Sequence, residues 1–278
     1  SSSTGDSIAN FENVTGGSGN DTLIGDANVN VINGSGGNDQ IDAEGGADNI
    51  DGGAGDDTIV ADGTDTIDGG TGNDTLDYSA FVTTTGITVN LNTQTSSAGD
   101  TISNIESVIG TADTDTFVSD SNDNTFDGGA DIDTVQYTVA TTDVTVDLGA
   151  GTATGHGTDT LISIENVTGG LGNDTLTGDA NTNIIIGGSG NDTINGGGGN
   201  DTLTGGGGLD TVDYTGFGSA ISIDLGTQTV DTGDTISGFE NATGTAFNDT
   251  LIGDAGDNVL IAGAGDDIVE GGLGDDTI

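Results

Sequence analysis

The stretch GGSGNDTINGGGGNDTLTGGGGLDTV, from Gly187 to Val212, repeats one short pattern three times. An aspartate returns every nine residues, at Asp192, Asp201 and Asp210, and an Ile, Leu or Val follows two positions later. A period of nine with one aliphatic residue gives no apolar helical face, and glycine permits the positive φ angles that tight turns require. The pattern therefore predicts a short strand followed by a tight turn, repeated along the chain.

The same unit recurs through most of the sequence. It consists of Asp or Asn, any residue, and then an aliphatic or aromatic residue, and successive units are nine residues apart except for one step of eight. A fixed period of this kind predicts a repeat architecture in which each unit packs on its neighbours. The units form four runs and begin at Asp21, Asn30, Asp39, Asp48, Asp57, Asp65 and Asp74; at Asp115, Asn124 and Asp133; at Asp174, Asn183, Asp192, Asp201 and Asp210; and at Asp249, Asn258, Asp267 and Asp276.

Three inserts of similar length separate the runs. Each opens with a tyrosine (Tyr78, Tyr137 or Tyr214) and continues into an alternating segment, ITVNL, VTVDL or ISIDL, which predicts a half-buried strand. We expect the tyrosines to cap the core at the insert boundary rather than to bind a sugar. The predicted divisions, which we expect to form one continuous solenoid, are the end of an insert (1–20), a run (21–76), an insert (77–114), a run (115–135), an insert (136–173), a run (174–212), an insert (213–248) and a run (249–278).

Both ends of the chain interrupt this pattern. The sequence begins with Ser-Ser-Ser-Thr near the end of an insert and stops inside a repeat, GGLGDDTI. We therefore expect a fragment or a processed segment whose stack of turns is open at both ends. Uncapped stacks tend to associate, so head-to-tail self-association is expected.

Two nine-residue units predict one 18-residue turn, with a strand in each of two facing sheets. The aliphatic residues point inward and stack in a core one residue wide, and successive turns lie about 4.8 Å apart. The predicted fold class is all-β, a right-handed parallel β-solenoid interrupted by irregular β inserts.

The charge of the chain is entirely negative. Its 278 residues include no Lys or Arg, 47 acidic residues and one His, which gives a formal net charge of −47, and only 31% of the residues are hydrophobic. Low hydrophobicity with high net charge normally predicts disorder, so a folded chain needs positive charge from solution. The same charge argues against nucleic acid and anionic membranes as partners, and no apolar segment is long enough for membrane insertion.

Aspartates 18 residues apart lie on the same side in successive turns of such a solenoid. Stacked carboxylates repel one another unless a cation lies between them. Calcium accepts carboxylate and backbone carbonyl oxygens, whereas a chain with no Cys and one His serves zinc and copper poorly. Eleven same-side pairs occur within the runs, so we expect about eleven or more calcium ions. The candidate aspartate ligands are Asp21, Asp39, Asp48, Asp57, Asp65, Asp74, Asp115, Asp133, Asp174, Asp192, Asp201, Asp210, Asp249, Asp267 and Asp276.

Asparagine replaces aspartate in the second unit of every run, at Asn30, Asn124, Asn183 and Asn258. An aspartate stands four residues before each of them. One interpretation is a modified calcium site with Asn30, Asn183 and Asn258 among its ligands. The other is a plain change of turn where the stack restarts, because Asn tolerates left-handed turns.

Glutamate takes the aspartate position nine residues before each run, at Glu12, Glu106, Glu165 and Glu240. We expect these glutamates to be longer calcium ligands where the loop lacks glycine. The alternative is a strand residue that faces solvent.

The sequence shows no catalytic constellation. His156 stands alone in GHG, and the Asp56-Asp57 pair falls in the phase of the repeat, so metal binding explains it better than a glycosidase dyad. We therefore expect no enzymatic activity.

The units GGSGNDTIN, GGGGNDTLT, GGAGDDTIV and GGTGNDTLD resemble the GGxGxDxUx nonapeptide of RTX (repeats-in-toxin) proteins. The resemblance implies a parallel β-roll with calcium between stacked Gly-Asp loops, bacterial secretion, and folding triggered by calcium outside the cell. We expect a calcium-dependent structural protein that is secreted or held at the bacterial surface, such as a surface-layer, matrix, adhesin-stalk or filament segment. The alternative is the calcium-folding export module of a larger secreted enzyme or toxin.

Overall fold

The computed structural model describes residues 5–278, and this part of the chain is all-β with no helix. The described residues therefore include no helix long and apolar enough to span a membrane. Ser1 to Thr4, at the start of the predicted 1–20 segment, lie outside the described residues. The strands are β1 (Ser7–Ala9), β2 (Asn13–Thr15), β3 (Thr22–Ile24), β4 (Val31–Asn33), β5 (Gln40–Asp42), β6 (Asn49–Ala54), β7 (Thr58–Val60), β8 (Thr66–Thr71), β9 (Thr75–Asp77), β10 (Thr88–Asn90), β11 (Thr95–Ser96), β12 (Thr101–Ser103), β13 (Ser107–Ile109), β14 (Thr116–Val118), β15 (Thr125–Asp127), β16 (Thr134–Gln136), β17 (Thr145–Asp147), β18 (Thr152–Thr154), β19 (Thr158–Ile162), β20 (Asn166–Thr168), β21 (Thr175–Thr177), β22 (Ile184–Ser189), β23 (Thr193–Asn195), β24 (Thr202–Gly207), β25 (Thr211–Asp213), β26 (Ser222–Asp224), β27 (Thr229–Val230), β28 (Thr235–Ser237), β29 (Asn241–Thr243), β30 (Thr250–Ile252), β31 (Leu260–Ile261) and β32 (Ile268–Glu270).

Within the runs, a strand typically begins just after the repeat Asp or Asn. In β23, for example, Ile194 is fully buried between Thr193 and Asn195, which are partly exposed. Threonine and the β-branched aliphatics favour the extended conformation, and the glycines that follow turn the chain. The short strand and tight turn predicted from the period are therefore confirmed.

The chain divides into two compact units. The first comprises Ser1–Thr134 and Asp159–Ile164, and the second comprises Val135–Thr158 and Glu165–Ile278. The predicted run boundaries, and the continuity of one solenoid through the whole chain, stay predictions.

In the first unit, each strand pairs in parallel with the strand one turn later, so successive strands alternate between two sheets. One sheet contains β1, β3, β5, β7, β9, β13, β15 and β19, and the other contains β2, β4, β6, β8 and β12. The inward residues lie in register along each sheet. In the first sheet these residues are Leu23, Ile41, Ile59 and Leu76, and in the second they are Ile32, Ile50, Ile67 and Ile102.

The second unit follows the same rule. One row of parallel strands contains β17, β21, β23, β25, β29 and β31, a second contains β20, β22, β24 and β28, and a third contains β26, β30 and β32. The inward residues of the first row are Val146, Leu176, Ile194, Val212, Ala242 and Leu260. The predicted parallel β-roll is confirmed.

An insert adds an antiparallel hairpin and then returns the chain to the strands it left. In the first unit β10 and β11 pair antiparallel, after which β12 pairs in parallel with β8 and β13 with β9. Tyr78 and Tyr137 are among the largest fully buried side chains, and Tyr214 is 3% exposed. The tyrosine rings therefore belong to the core beside the inserts.

The core is one residue wide, so a single truncation leaves a cavity that the neighbouring turns cannot fill. We predict that Leu203→Ala, at a fully buried position, lowers the free energy of unfolding by about 2–5 kcal/mol. Leu209→Ala is the matched control, because Leu209 lies in the same run and is 56% exposed, and it should change stability by less than about 0.5 kcal/mol. Urea unfolding at saturating calcium, followed by circular dichroism, measures both. Equal losses would contradict the assigned core.

Candidate metal centre

The repeat aspartates are linked from turn to turn by hydrogen bonds. The backbone N–H of Asp174 donates to Oδ1 of Asp192, and that of Asp192 donates to Oδ1 of Asp210, both with N···O distances of 2.8 Å. All eleven same-side pairs predicted from the spacing are joined in this way, at 2.7–3.0 Å. The pairs are 21/39, 30/48, 39/57, 48/65, 57/74, 115/133, 174/192, 183/201, 192/210, 249/267 and 258/276.

The first glycine of the unit makes room for two oxygens. A Cβ on Gly52 would lie 2.5 Å from the carbonyl oxygen of Gly69 in the next turn and 2.6 Å from Oδ2 of Asp57. Any side chain there would collide with both atoms, so this position requires glycine. The carboxylate of one turn and a carbonyl of the next therefore converge over the same glycine.

All of the turns except that of Asn124 fall into two classes, which differ four residues before the repeat Asp or Asn. In an open turn this residue has a left-handed backbone, as at Gly53, Gly188 and Gly206, where φ is 105°, 110° and 116°. In a closed turn its N–H instead donates to the side-chain oxygen of the repeat residue, as from Gly170 to Asp174 Oδ2 at 2.6 Å. The closed turns are those of Asp21, Asn30, Asp115, Asp174, Asn183, Asp249 and Asn258.

Each open turn carries the later residue of one of the eleven same-side pairs. Their left-handed residues include two that are not glycine, Ser35 (φ 80°) and Glu44 (φ 54°). Asp65 follows the eight-residue step and has no left-handed residue at this place, but its Oδ2 receives no hydrogen bond and we count its turn as open. The open turns are therefore those of Asp39, Asp48, Asp57, Asp65, Asp74, Asp133, Asp192, Asp201, Asp210, Asp267 and Asp276.

Buried carboxylate oxygens without a hydrogen-bond partner are concentrated in the open turns. The eight aspartates named at the end of this paragraph are each at most 2% exposed. A buried charge is stable only when it is paired or when it coordinates a metal, and the chain has no Lys or Arg to pair with it. Within the described residues, these atoms include Oδ2 of Asp39, Asp48, Asp57, Asp65, Asp74, Asp192, Asp201 and Asp210.

Burial raises the pKa of eight open-turn carboxyls. It raises the pKa of Asp57, Asp65, Asp192 and Asp201 to about 6, and neighbouring carboxylates add to the increase while a backbone N–H opposes it. The pKa values of Asp39, Asp48, Asp74 and Asp210 are also raised by burial. The metal-free fold therefore penalises the ionised form of these groups, whereas a cation would favour it.

This donor set suits calcium. In residues 5–278 no three His, Cys, Asp or Glu side chains converge on one point, so the oxygens at each turn are a carboxylate and neighbouring backbone carbonyls. Calcium takes both kinds of oxygen in flexible geometry, and the open-turn aspartates are the residues that would hold it. The assignment of individual ligands, including Asp21, Asp115, Asp174 and Asp249 in the closed turns, stays a prediction.

Where the first and third runs end, a glutamate accepts the backbone N–H that a further repeat aspartate would accept. Oε2 of Glu106 accepts the N–H of Asp74, and Oε2 of Glu240 accepts that of Asp210, each at 2.9 Å. Glu12 is exposed and Glu165 is half-buried. The prediction that these four glutamates bind calcium remains open, because one oxygen of Glu106 and of Glu240 already holds a backbone N–H.

Three aspartates in the inserts accept the N–H of a repeat residue in the turn before and were not nominated from the sequence. One is Asp159, whose Oδ1 accepts the N–H of Asn124 at 3.0 Å. Asp100 Oδ1 accepts the N–H of Asp65 at 2.9 Å, and its Oδ2 accepts the hydroxyl of Tyr78 at 2.5 Å. Asp234 Oδ1 likewise accepts the N–H of Asp201 at 2.8 Å, and its Oδ2 accepts the hydroxyl of Tyr214 at 2.8 Å. Their signal was the fixed offset of fifteen residues before each run, shared with Asp6.

A second row of hydrogen bonds, also missed from the sequence, follows the residue before the repeat Asp. Oδ1 of Asn173 accepts the N–H of Asn191, and Oδ1 of Asn191 accepts the N–H of Leu209, at 2.7 and 2.9 Å. This row runs opposite to the aspartate row, since here the later turn donates. Each loop is therefore fixed from both sides, which explains the frequent Asn-Asp and Asp-Asp pairs.

Stacked Gly-Asp turns on parallel sheets define a class of β-roll that presents carboxylate and carbonyl oxygens to cations in its open turns. The family model of the RTX calcium-binding nonapeptide repeat matches residues 10–41, 25–59, 42–76, 101–135, 159–194, 177–212 and 243–278. These matches cover more than half of the chain, which therefore belongs to the RTX calcium-binding nonapeptide-repeat family and is a calcium-binding protein. Comparison with curated protein sequences gave no match.

Removing one open-turn charge should weaken calcium-dependent folding. We predict that Asp192→Asn, which keeps an oxygen to accept the N–H of Asp174, shifts the folding midpoint to higher calcium. Asp231→Asn is the control, because Asp231 is exposed in an insert hairpin and accepts the N–H of Ser222. Calcium titration followed by circular dichroism measures both midpoints. A midpoint that moves equally in the two variants would show only a general charge effect.

Acid should partly replace calcium. The carboxyls of Asp57, Asp65, Asp192 and Asp201 have a pKa of about 6 in the folded chain against an ordinary value of 3.8. Protonation therefore stabilises the metal-free fold, fully below about pH 3.8 and progressively less as the pH rises through about 6. We predict more β structure at pH 5 than at pH 7.5 in calcium-free buffer, measured by circular dichroism. At saturating calcium the order should reverse, because protons compete with the cation for the same oxygens.

Proposed function

We propose that this chain is a non-catalytic structural element that becomes ordered when it binds calcium outside the cell. The observation that carries the proposal is the row of buried, unpaired carboxylate oxygens in the open turns. A fold that repeats this arrangement turn after turn cannot be stable without a cation at these oxygens.

The composition supports the same function. With 47 acidic residues and no Lys or Arg, the unfolded chain repels itself and has no internal counter-charge. Extracellular calcium modules operate at about 0.1–1 mM calcium, far above the concentrations at which cytosolic calcium buffers are tuned. A chain of this kind would stay unfolded where calcium is scarce and fold after export. A surface-layer, matrix, adhesin-stalk or filament segment fits a chain that is mostly repeat.

Self-association is part of the proposal. Parallel sheets of this type present unpaired backbone groups at any turn that nothing covers, and a second copy or a neighbouring repeat cassette can pair with them. Sedimentation velocity at about 1 mM calcium tests this, with concentration-dependent assembly expected. A strictly monomeric species over the whole concentration range would remove this part of the proposal without affecting calcium-triggered folding.

The central test is the calcium dependence of the fold itself. In calcium-free buffer at neutral pH we predict an expanded chain with the circular dichroism of a disordered polypeptide, and at about 1 mM calcium a compact chain rich in β structure. Magnesium at the same concentration is the control, since it demands a tighter octahedral site and gives up water reluctantly. Full β structure in the presence of a chelator would contradict the proposal. A catalytic domain joined to this segment in the parent protein would favour the alternative function of an export module.

A further inference from the structure

In the second compact unit, the asparagine side chains of the turns at Asn183 and Asn258 have both polar atoms hydrogen-bonded without a cation. Asn183 is 0% exposed, its Oδ1 accepts the N–H of Asp179 at 2.8 Å, and its Nδ2 donates to the backbone oxygen of Glu165 at 2.6 Å. Its oxygen faces a donor and its nitrogen faces an acceptor, so the orientation of the amide is fixed by its surroundings. The side chain of Asn183 therefore forms one hydrogen bond within its own turn and one to the turn before.

A second asparagine completes the arrangement. The backbone oxygen of Glu165 is available to Asn183 because the N–H of Ile184 donates instead to Oδ1 of Asn166, at 2.7 Å. The oxygen of Glu165 and the N–H of Ile184 would bind each other in a regular ladder. Here each of these backbone groups binds an asparagine side chain instead. We call this pair of asparagines, together with the two backbone groups they bind, an amide clasp.

The same clasp recurs one run later in the second unit. Nδ2 of Asn258 donates to the backbone oxygen of Glu240 at 2.7 Å, and its Oδ1 accepts the N–H of Asp254 at 2.7 Å. The N–H of Val259 donates to Oδ1 of Asn241 at 2.8 Å. Two independent runs thus begin with the same four hydrogen-bonded groups, drawn from Glu-Asn before the run and Asn in its second repeat. Glu12-Asn13 and Asn30 share this sequence but do not form the clasp.

The first unit shows what happens without the exchange. There the backbone oxygens of Glu12 and Glu106 stay in the ladder and accept the N–H groups of Val31 and Thr125. Nδ2 of Asn30 turns back to the oxygen of Asn28 in its own loop, and Nδ2 of Asn124 is buried with no partner. The clasp is therefore specific to the turns of Asn183 and Asn258.

We infer that the amide clasps at Asn166–Asn183 and Asn241–Asn258 close their turns without calcium, so that Asn183 and Asn258 stand in for a calcium-dependent aspartate and do not bind an ion. In the open turns a carboxylate oxygen and a carbonyl oxygen converge and need a cation between them. In the clasp the amide oxygen at this place already accepts a backbone N–H, and the amide nitrogen faces the turn before, as Oδ1 does in the open turns, and binds a ladder carbonyl there. The third and fourth runs thus each start from a calcium-independent turn on which the calcium-dependent turns stack.

Replacing asparagine with aspartate distinguishes a clasp residue from a calcium ligand. Asn183→Asp places a carboxylate oxygen where Nδ2 lies, 2.6 Å from the backbone oxygen of Glu165. If Asn183 is a clasp, the variant loses a buried hydrogen bond and gains an oxygen–oxygen repulsion. We expect the folding equilibrium constant at the wild-type calcium midpoint to fall about tenfold, so that the folded fraction falls from half to about one tenth. If Asn183 is a ligand, aspartate is the better calcium ligand and the folded fraction rises.

Asn200→Asp is the matched control. Asn200 is exposed in the same run, precedes Asp201, and occupies the position that carries Asp56 and Asp266 elsewhere in the chain. The substitution adds the same charge, and its folded fraction should stay near half. A rise in the folded fraction of Asn183→Asp, or a fraction equal to that of the control, would overturn the inference.

A second variant guards against a chain that does not fold at all. Asn258→Asp carries the same change in the last run, and hydrogen exchange at saturating calcium should show its loss of protection confined to strands β31 and β32. Protection equal to the wild type there would overturn the inference.

The inference rests on the proposed calcium-triggered folding. The experiments distinguish a failure of the inference from a failure of the proposed function. If the wild type keeps its fold in calcium-free buffer, the proposed function fails, and urea unfolding in that buffer then tests the clasp. Asn183→Asp should again be less stable than Asn200→Asp, and equal stabilities would contradict the clasp.

Discussion

The structure depends on the contact between a buried carboxylate and the backbone of the next turn. Oδ1 of each repeat aspartate accepts an N–H from the turn before, which fixes the stacking of the loops. In most open turns Oδ2 receives no hydrogen bond, and it approaches the same glycine as a carbonyl oxygen of the next turn. One half of the side chain therefore holds the roll together, and the other half opposes it until a cation binds. Calcium dependence follows from the same residue that sets the register of the sheets.

The chain meets this constraint differently within the runs and at their boundaries. Within the runs it leaves the carboxylate oxygen of most open turns unpaired, where a calcium ion would bind. At two inserts the hydroxyls of Tyr78 and Tyr214 donate to Asp100 and Asp234, which occupy the aspartate position there. At the start of the third and fourth runs the amides of Asn183 and Asn258 donate to a backbone carbonyl of the turn before. The boundary turns thus use side-chain hydrogen bonds where the turns within the runs would use cations.

Much of this arrangement could be predicted from the sequence, because a period of nine fixes which residues face inward and which lie 18 apart. The distinction between open and closed turns could not. Gly17 and Gly53 occupy equivalent positions, yet only Gly53 has a left-handed backbone. Glycine permits both conformations, and Ser35 and Glu44 adopt the left-handed one without being glycine. The class of a turn depends on how the preceding turn stacks, which residue type alone does not determine.

The number of calcium ions held by the folded chain tests the account most directly. Native mass spectrometry at saturating calcium should find about eleven ions per chain, one for each open turn and none for the closed turns. A stoichiometry of only about two or three would contradict it, because most of the buried carboxylate oxygens would then be stable without a cation.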